Sequence, residues 1–310
     1  MVAEGSPGGL YTIAFHPDGK HFFGGTIDGI RRWQVADGKE VGEQMGMDMN
    51  ALSVSRDGKW IVCGTTMGTS VWGAELERRI VEVEDSNYVK AVDVSPESTR
   101  FATAAERKAS IWSITTGERL IGPLEHDSTI WGIKFSPDGK HIASACEDSI
   151  HIFDSYNGDP FIIISNPLPT RWVGMTPIVW PSDVQLFATS SKGGKIRSFD
   201  TSTGSQLAEW QIHSHDSEDR LSIALSANNR FIASSAGRSV TFWDTSTHAH
   251  LGSVLKHDGE IWSIALSPDD TLLATGSQDK TITIWNPSDI LPESYLPITV
   301  STHCRCWGDR

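Results

Sequence analysis

Short runs of alternating apolar and polar residues recur along the whole chain, and no stretch keeps a helical period. The clearest is Ile261-Trp-Ser-Ile-Ala-Leu-Ser267, whose period of two is that of a half-buried strand. A turn follows, then Thr271-Leu-Leu-Ala-Thr-Gly-Ser277, a polar turn at Gln278-Asp279-Lys280, and Thr281-Ile-Thr-Ile-Trp285. The last two runs are β-branched and apolar enough to be central strands. A Thr-Gly or Asn-Gly turn leads to a fourth, more polar strand, as at Arg119 to Leu124 and His250 to Leu255. The same unit is legible from Ile130 to Asp154, so the pattern predicts an all-β chain built of four-stranded antiparallel units.

The spacing of these units is regular. A bulky aromatic closes the third strand at Trp33, Trp72, Trp112, Phe153, Phe199, Trp243 and Trp285, at intervals of 39, 40, 41, 46, 44 and 42 residues. A turn marker keeps the same step at Pro17, Arg56, Pro96, Pro137, Pro181, Ala227 and Pro268. Repeats of this length stack, because one unit cannot bury a core alone. The pattern resembles the WD-repeat (WD40) family of β-propellers over about residues 5–298 of the 310 present. The dipeptide that names the family stands at Trp243-Asp244, with Phe153-Asp154, Phe199-Asp200 and Trp285-Asn286 as near forms. The resemblance implies one domain over residues 1–310, a seven-bladed ring of four-stranded blades followed by a tail at 299–310.

It also implies a hydrogen-bonded tetrad of His, Ser or Thr, Asp and Trp in each blade. The last repeat supplies the full set as His257, Thr275, Asp279 and Trp285. Repeat four has His126, Ser144 and Asp148 but ends in Phe153; repeat one has Asp28 and Trp33 with Gly24 and Ser6 at the other two places; repeat six has His215 and Trp243 with Gly237 for the Asp. A propeller must close its ring, and only Met1 to Ala3 precede the loop before the first strand, whereas Ser294 to Val300 has the length of an outer strand. The expectation is therefore closure by the C-terminal segment, with Pro297 tolerated on an edge.

Charge and composition narrow the partners. The net charge of −13 argues against a phosphate-neutralising surface and favours basic partners, so no nucleic acid is expected. With no apolar run near 18 residues and no signal peptide, no membrane contact is expected and a cytoplasmic or nuclear location is the default. Cys63 and Cys146 fall on second strands as free thiols, and Cys304-Arg-Cys306 lies in the tail, a poor zinc set without two more ligands. The pairs His213/His215 and His248/His250, the Gly-Gly dipeptides and the scattered Ser, His and Asp supply no metal, phosphate or triad pattern above chance. No metal, cofactor or catalytic residue is expected, and the chain reads as a non-enzyme.

The candidate site lies where the first strands begin, at the mouth of the central channel. Aligning the repeats on Phe135 places Tyr11, Asn50, Lys90, Trp131, Met175, Leu221 and Trp262 there. Three large aromatics in equivalent positions suit peptide capture, which the resemblance also implies for Tyr11, Trp131 and Trp262. Ile27, Glu147 and Gln278, before the turn between strands two and three, open on the same face, and Glu147 beside Trp131 would suit a basic side chain. The long connection Asn166 to Trp172 adds Arg171 and Trp172. The predicted function is a scaffold or sensor module binding a protein or peptide with basic residues, a monomer, either alone or as part of a larger multidomain protein. The alternative is a small-molecule propeller, a sugar-binding lectin or a channel-site hydrolase. A lectin would repeat its aromatic in most blades, and only three of seven positions are aromatic here.

Overall fold

A computed structural model describes residues 2–4, 9–46, 49–75, 78–84, 88–165, 178–190, 194–212 and 221–296. Its strands form seven antiparallel sheets in chain order. Blade two comprises Met49–Val54, Trp60–Thr65, Thr69–Gly73 and Arg78–Val83; blade three Val89–Val94, Arg100–Ala105, Lys108–Ser113 and Arg119–Glu125; blade four Ile130–Phe135, His141–Cys146, Ser149–Asp154 and Pro160–Ser165. Blade five is Ile178–Ser182, Gln185–Ser190, Lys195–Asp200 and Gln206–Gln211, and blade six Leu221–Leu225, Phe231–Ala236, Ser239–Asp244 and His250–Lys256. In each, the first strand is innermost and touches the first strands of both neighbouring blades, so the ring is closed. The seven-bladed propeller read from the repeat is the fold observed. Among the described residues blade one has three strands, Thr12–Phe15, His21–Thr26 and Gly29–Gln34, and in place of an outer strand two isolated bridges, Ile30 to Met45 and Trp33 to Glu40.

The core is a set of seams between blades. Seven clusters of buried apolar side chains fill the seven interfaces, for example Val71, Val92, Phe101 and Trp112 between blades two and three, and Ile150, Ile152, Ile178 and Leu186 between four and five. The closing aromatics supply bulk to these seams: Trp33, Trp112, Phe153 and Phe199 are all buried. Cys63 and Cys146 are buried free thiols within them. Because each sheet is apolar on both faces, no blade is stable outside the ring.

Polar links tie neighbouring blades at the face where strands one and two turn. The Asp270 carboxylate of blade seven accepts from the backbone N–H of Ala227 (2.7 Å) and Asn228 (3.2 Å) in blade six. Burial pushes its pKa up against the pull of those two donors. Asp183 of blade five accepts from the Asp138 N–H at 2.9 Å, and the His16 Nε2 lies 2.9 Å from the Gly58 carbonyl oxygen. These turns therefore serve as clasps as well as connections.

The expectation of C-terminal closure is overturned. Val2–Glu4 is the outer strand of blade seven, with Val2, Ala3 and Glu4 opposite Thr283, Ile282 and Thr281. The strands Ile261–Leu266, Leu273–Ser277 and Thr281–Trp285 complete that blade. Three residues suffice because the partner strand has only five, so closure does not need the full-length outer strand that the other repeats lead one to expect. The C-terminal segment turns into short 3-10 helices at Pro287–Asp289 and Glu293–Tyr295. Leu291, Tyr295 and Leu296 then pack on the seam between blades six and seven, and the Tyr295 hydroxyl donates to Asp244. Asn286 caps the first of these helices, accepting from the Ser288 N–H, and Pro287 stands in its first turn, so the chain is steered off the sheet. Residues 297–300 lie outside the described residues. Deleting residues 1–4 should lower stability by about 1–2 kcal/mol, the worth of one or two ladder hydrogen bonds and an uncovered sheet edge. Deleting 297–310 should change it by less. Calorimetric melts of the two truncations check the order.

Candidate partner-binding face at the channel mouth

The sequence positions singled out at the start of the inner strands fall into two clusters. Tyr11 and Trp262 belong to blades one and seven, and their rings stack with centroids 5.1 Å apart and planes 22° from parallel. Gly9 turns beside the pair with φ of +78°, and a Cβ there would lie 3.4 Å from the indole. Both rings are half-buried. In the second cluster, on blades three and four, the Lys90 ammonium sits 3.6 Å from the centroid of Trp131 and 5.9 Å from that of Tyr88. This is a cation–π contact made within the protein. Burial lowers the Lys90 pKa, while Glu147 and Glu106 nearby pull it back up. One ammonium thus faces two exposed carboxylates and an aromatic ring.

The other candidates divide. The Asn50 side-chain nitrogen is buried without a hydrogen-bond partner among the described residues. Glu147, Ile27 and Gln278 are exposed. Leu221 is buried and therefore belongs to the core. Met175, Arg171 and Trp172 lie outside the described residues, as do His213, His215, Asp216 and Ser6. The sequence suggests an incoming basic group over Trp131; in the structure Lys90 already covers a face of that ring.

The tetrad residues of the last blade are arranged around an additional hydroxyl. The Trp285 indole N–H donates to Thr275 Oγ1 at 3.0 Å, but His257 Nε2 meets Thr283 Oγ1 at 3.1 Å. Asp279 Oδ2 stands 3.6 Å from His257 Nδ1, and its other oxygen accepts from the Thr281 N–H and hydroxyl. In blade four, His126 Nε2 meets Ser144 Oγ directly at 2.7 Å. Trp112 and Trp243 donate to Thr103 and Ser234 on their second strands. Gly24 in blade one has a packing reason, since a Cβ there would come within 2.5 Å of Leu10 and 2.8 Å of Trp33. A serine or threonine has no room beside that indole.

One polar pair within the channel is not signalled by the repeat. Asp93 is buried on the inner strand of blade three and takes the Lys134 ammonium at 2.6 Å and the Phe135 N–H at 2.9 Å from blade four. Both side chains line a channel cavity of about 400 Å³ with Arg56, Phe15, Val54, Leu225 and Leu266. They lie deeper along the inner strands than Lys90 and Trp131, so a comparison of strand starts passes over them. Asp93 thereby ties blade three to blade four. Among the described residues no cluster of His, Cys, Asp and Glu could hold a metal ion.

Comparison with known proteins agrees with this architecture. The WD domain, G-beta repeat model matches residues 119–154 and 249–286, which are units of blades three to four and six to seven. The β-propeller domain of Cps50 (Swd1) from Myceliophteria thermophila superposes with a TM-score of 0.76 at 18% identity, over 91% of this chain and 97% of that one. The chain thus carries matches to the WD repeat in two places and shares the β-propeller fold of that structure. Among WD-repeat relatives, telomerase protein component 1 of Mus musculus is 24% identical over 98% of this chain, and the guanine nucleotide-binding protein subunit beta of Oryza sativa subsp. japonica is 26% identical over 64% of it. The matched regions span 12% and 56% of those two proteins' lengths.

Proposed function

We propose that this propeller is a non-enzymatic interaction module that receives a short segment of a protein partner at the channel mouth, between the Tyr11–Trp262 stack and the Lys90–Trp131 pair. The observation that carries this reading is the half-exposed aromatic pair bridging the first and last blades, a rigid surface of the kind enriched at interface centres. A basic residue of the partner would pair with Glu147 and Glu106, which stand beside Lys90 and leave a net negative charge there. WD-repeat propellers are typically protein-interaction scaffolds, and the names of the relatives, a component and a subunit, belong to members of assemblies. Buried free thiols at Cys63 and Cys146 suit a reducing compartment such as the cytoplasm.

The test is a pull-down from source extract with wild type beside a Trp131→Ala/Trp262→Ala double variant. Proteins retained only by wild type are the partners sought. Against a partner so found, Trp262→Ala should weaken binding by about 2 kcal/mol, as for a central aromatic anchor. Its melting temperature should fall by only a few degrees, since a stacked aromatic pair is worth about 1 kcal/mol beyond its burial. Glu147→Gln should reduce the association rate and its salt dependence. Unchanged binding together with a large stability loss would assign the tryptophans to packing.

A further inference from the structure

Every outer strand of a propeller leaves an edge of unpaired backbone, and such edges are protected by charges, bulges or shortness. The register allows the blades to be compared residue by residue. The outer-strand residue opposite Ser70 in blade two is Glu82, and the one opposite Arg197 in blade five is Glu209. The equivalent position in blade four, opposite His151, is Ile163. Glu82 is paired with Arg79, and Glu209 with Arg197 and Lys195. Blades three and six interrupt the ladder at this level instead, with register shifts around Ile111 and between Val240 and Phe242, opposite the positive-φ glycines Gly122 and Gly252 of the outer strands. Blade seven has a three-residue outer strand, and blade one, among the described residues, has only bridges.

Blade four has no charge and no interruption at this level; like blades two and five it has a bulge only at the start of the outer strand, where Pro160 pairs with Phe153. Pro160-Phe-Ile-Ile-Ile-Ser165 carries no charge, and its ladder runs unbroken from Ile162 to Ser165. Phe161 and Ile163 point to one face, 50% and 52% exposed, while Ile164 is buried on the other. A half-exposed apolar residue early in the outer strand is common here, as at Ile80, Leu120 and Leu207, so Phe161 alone says little. The second foothold two residues on, where the sibling blades place a glutamate, is what sets this edge apart.

We propose that the outer edge of blade four accepts an extended, uncharged segment of a partner protein as a fifth strand. Main-chain hydrogen bonds would supply the pairing, and alternate apolar side chains of the segment would rest on Phe161 and Ile163. The edge offers no ion-pairing group, so the segment is uncharged as well. A second copy is disfavoured as the occupant, because edge-to-edge pairing would bring together two bodies of net charge −13 over six residues of strand.

The probe is a rhodamine-labelled hexapeptide amide, Thr-Val-Thr-Val-Thr-Val, titrated by fluorescence anisotropy. Saturable binding to wild type is expected, weakened at least about tenfold by Ile163→Glu and within about threefold for Ile163→Thr and for Leu207→Glu on blade five. Ile163→Glu installs the residue its siblings carry, so its melting curve should match wild type. Equal binding to Ile163→Glu, or no saturable binding to wild type, overturns the proposal. So does a wild-type dimer in sedimentation that Ile163→Glu converts to monomer, which would give the edge to a second copy.

Discussion

Replacing Arg100 by methionine should cost about 3 kcal/mol, the largest loss expected from a single substitution away from the seams. Arg100 opens the second strand of blade three and is only 8% exposed. Its guanidinium donates to the Ser155 carbonyl at 2.6 Å and the Gly139 carbonyl at 3.1 Å, both in blade four, and to Glu97 at 2.7 Å in its own turn. It also lies over Tyr156, 4.2 Å from the ring centroid. Methionine fills a similar volume but leaves the Ser155 carbonyl without its donor and takes one donor from the Gly139 carbonyl and one from Glu97, which keep the Ser155 and Thr99 hydroxyls. Hydrogen bonds to a charged group are each worth about 1.5–3 kcal/mol, and Glu97, at the surface, recovers part of its share from water. Arg100→Lys keeps the charge but not the planar fork, so it should fall near half that cost. Urea denaturation of the three proteins checks the order; Arg100→Met within 0.5 kcal/mol of wild type, on the order of an ordinary surface change, would remove Arg100 from the clasp.

Which features of this protein are legible in its sequence follows from the range of each interaction. Strand alternation and the step of the closing aromatics are local and repeated, so all seven sheets can be read from the chain itself. The inner-strand starts are legible for the same reason, since a fixed offset from Phe135 carries from blade to blade. Contacts between blades have no such offset. Lys90 covering Trp131, Asp93 tying Lys134 and Arg100 reaching Gly139 each join residues about forty positions apart, and depend on how the ring twists one blade against the next. Ring closure by Val2–Glu4 is hidden by its brevity, because three residues carry no period. Thr283, which takes the place beside His257, belongs to a strand that reads as ordinary β-branched sequence.

Acidification should destabilise the protein between about pH 6.5 and 4, through His126. This imidazole is buried at the outer end of the seam between blades three and four, its Nδ1 against the Leu124 carbonyl at 2.9 Å and its Nε2 against the Ser144 hydroxyl. Nδ1 faces a carbonyl and therefore donates, so in the neutral ring Nε2 is the acceptor and takes the Ser144 hydroxyl proton. Burial, reinforced by the His151 ring with its centroid 4.6 Å away, lowers its pKa from 6.5 to about 4. In the unfolded chain the group takes up its proton near pH 6.5, so there the unfolded state binds more protons than the folded one and stability falls as pH falls. The loss should begin near pH 6.5 and be complete near pH 4, reaching at most about 3 kcal/mol. Rotation of the Ser144 hydroxyl towards the His151 carbonyl, 3.4 Å away, lets it accept from a protonated Nε2 and reduces that figure. His151, whose pKa is also lowered by burial, adds a contribution of the same sign. Asp18, held down to about 2 by hydrogen bonds from His21, Lys20 and His16 that outweigh its burial, loses its stabilising contribution only below the ordinary carboxylate range. The two effects are therefore separated in pH. His126→Gln should lower stability at pH 7.5 while flattening the decline between pH 6.5 and 4. If denaturation midpoints of wild type and variant fell in parallel through that window, the charge uptake would have to lie at another site.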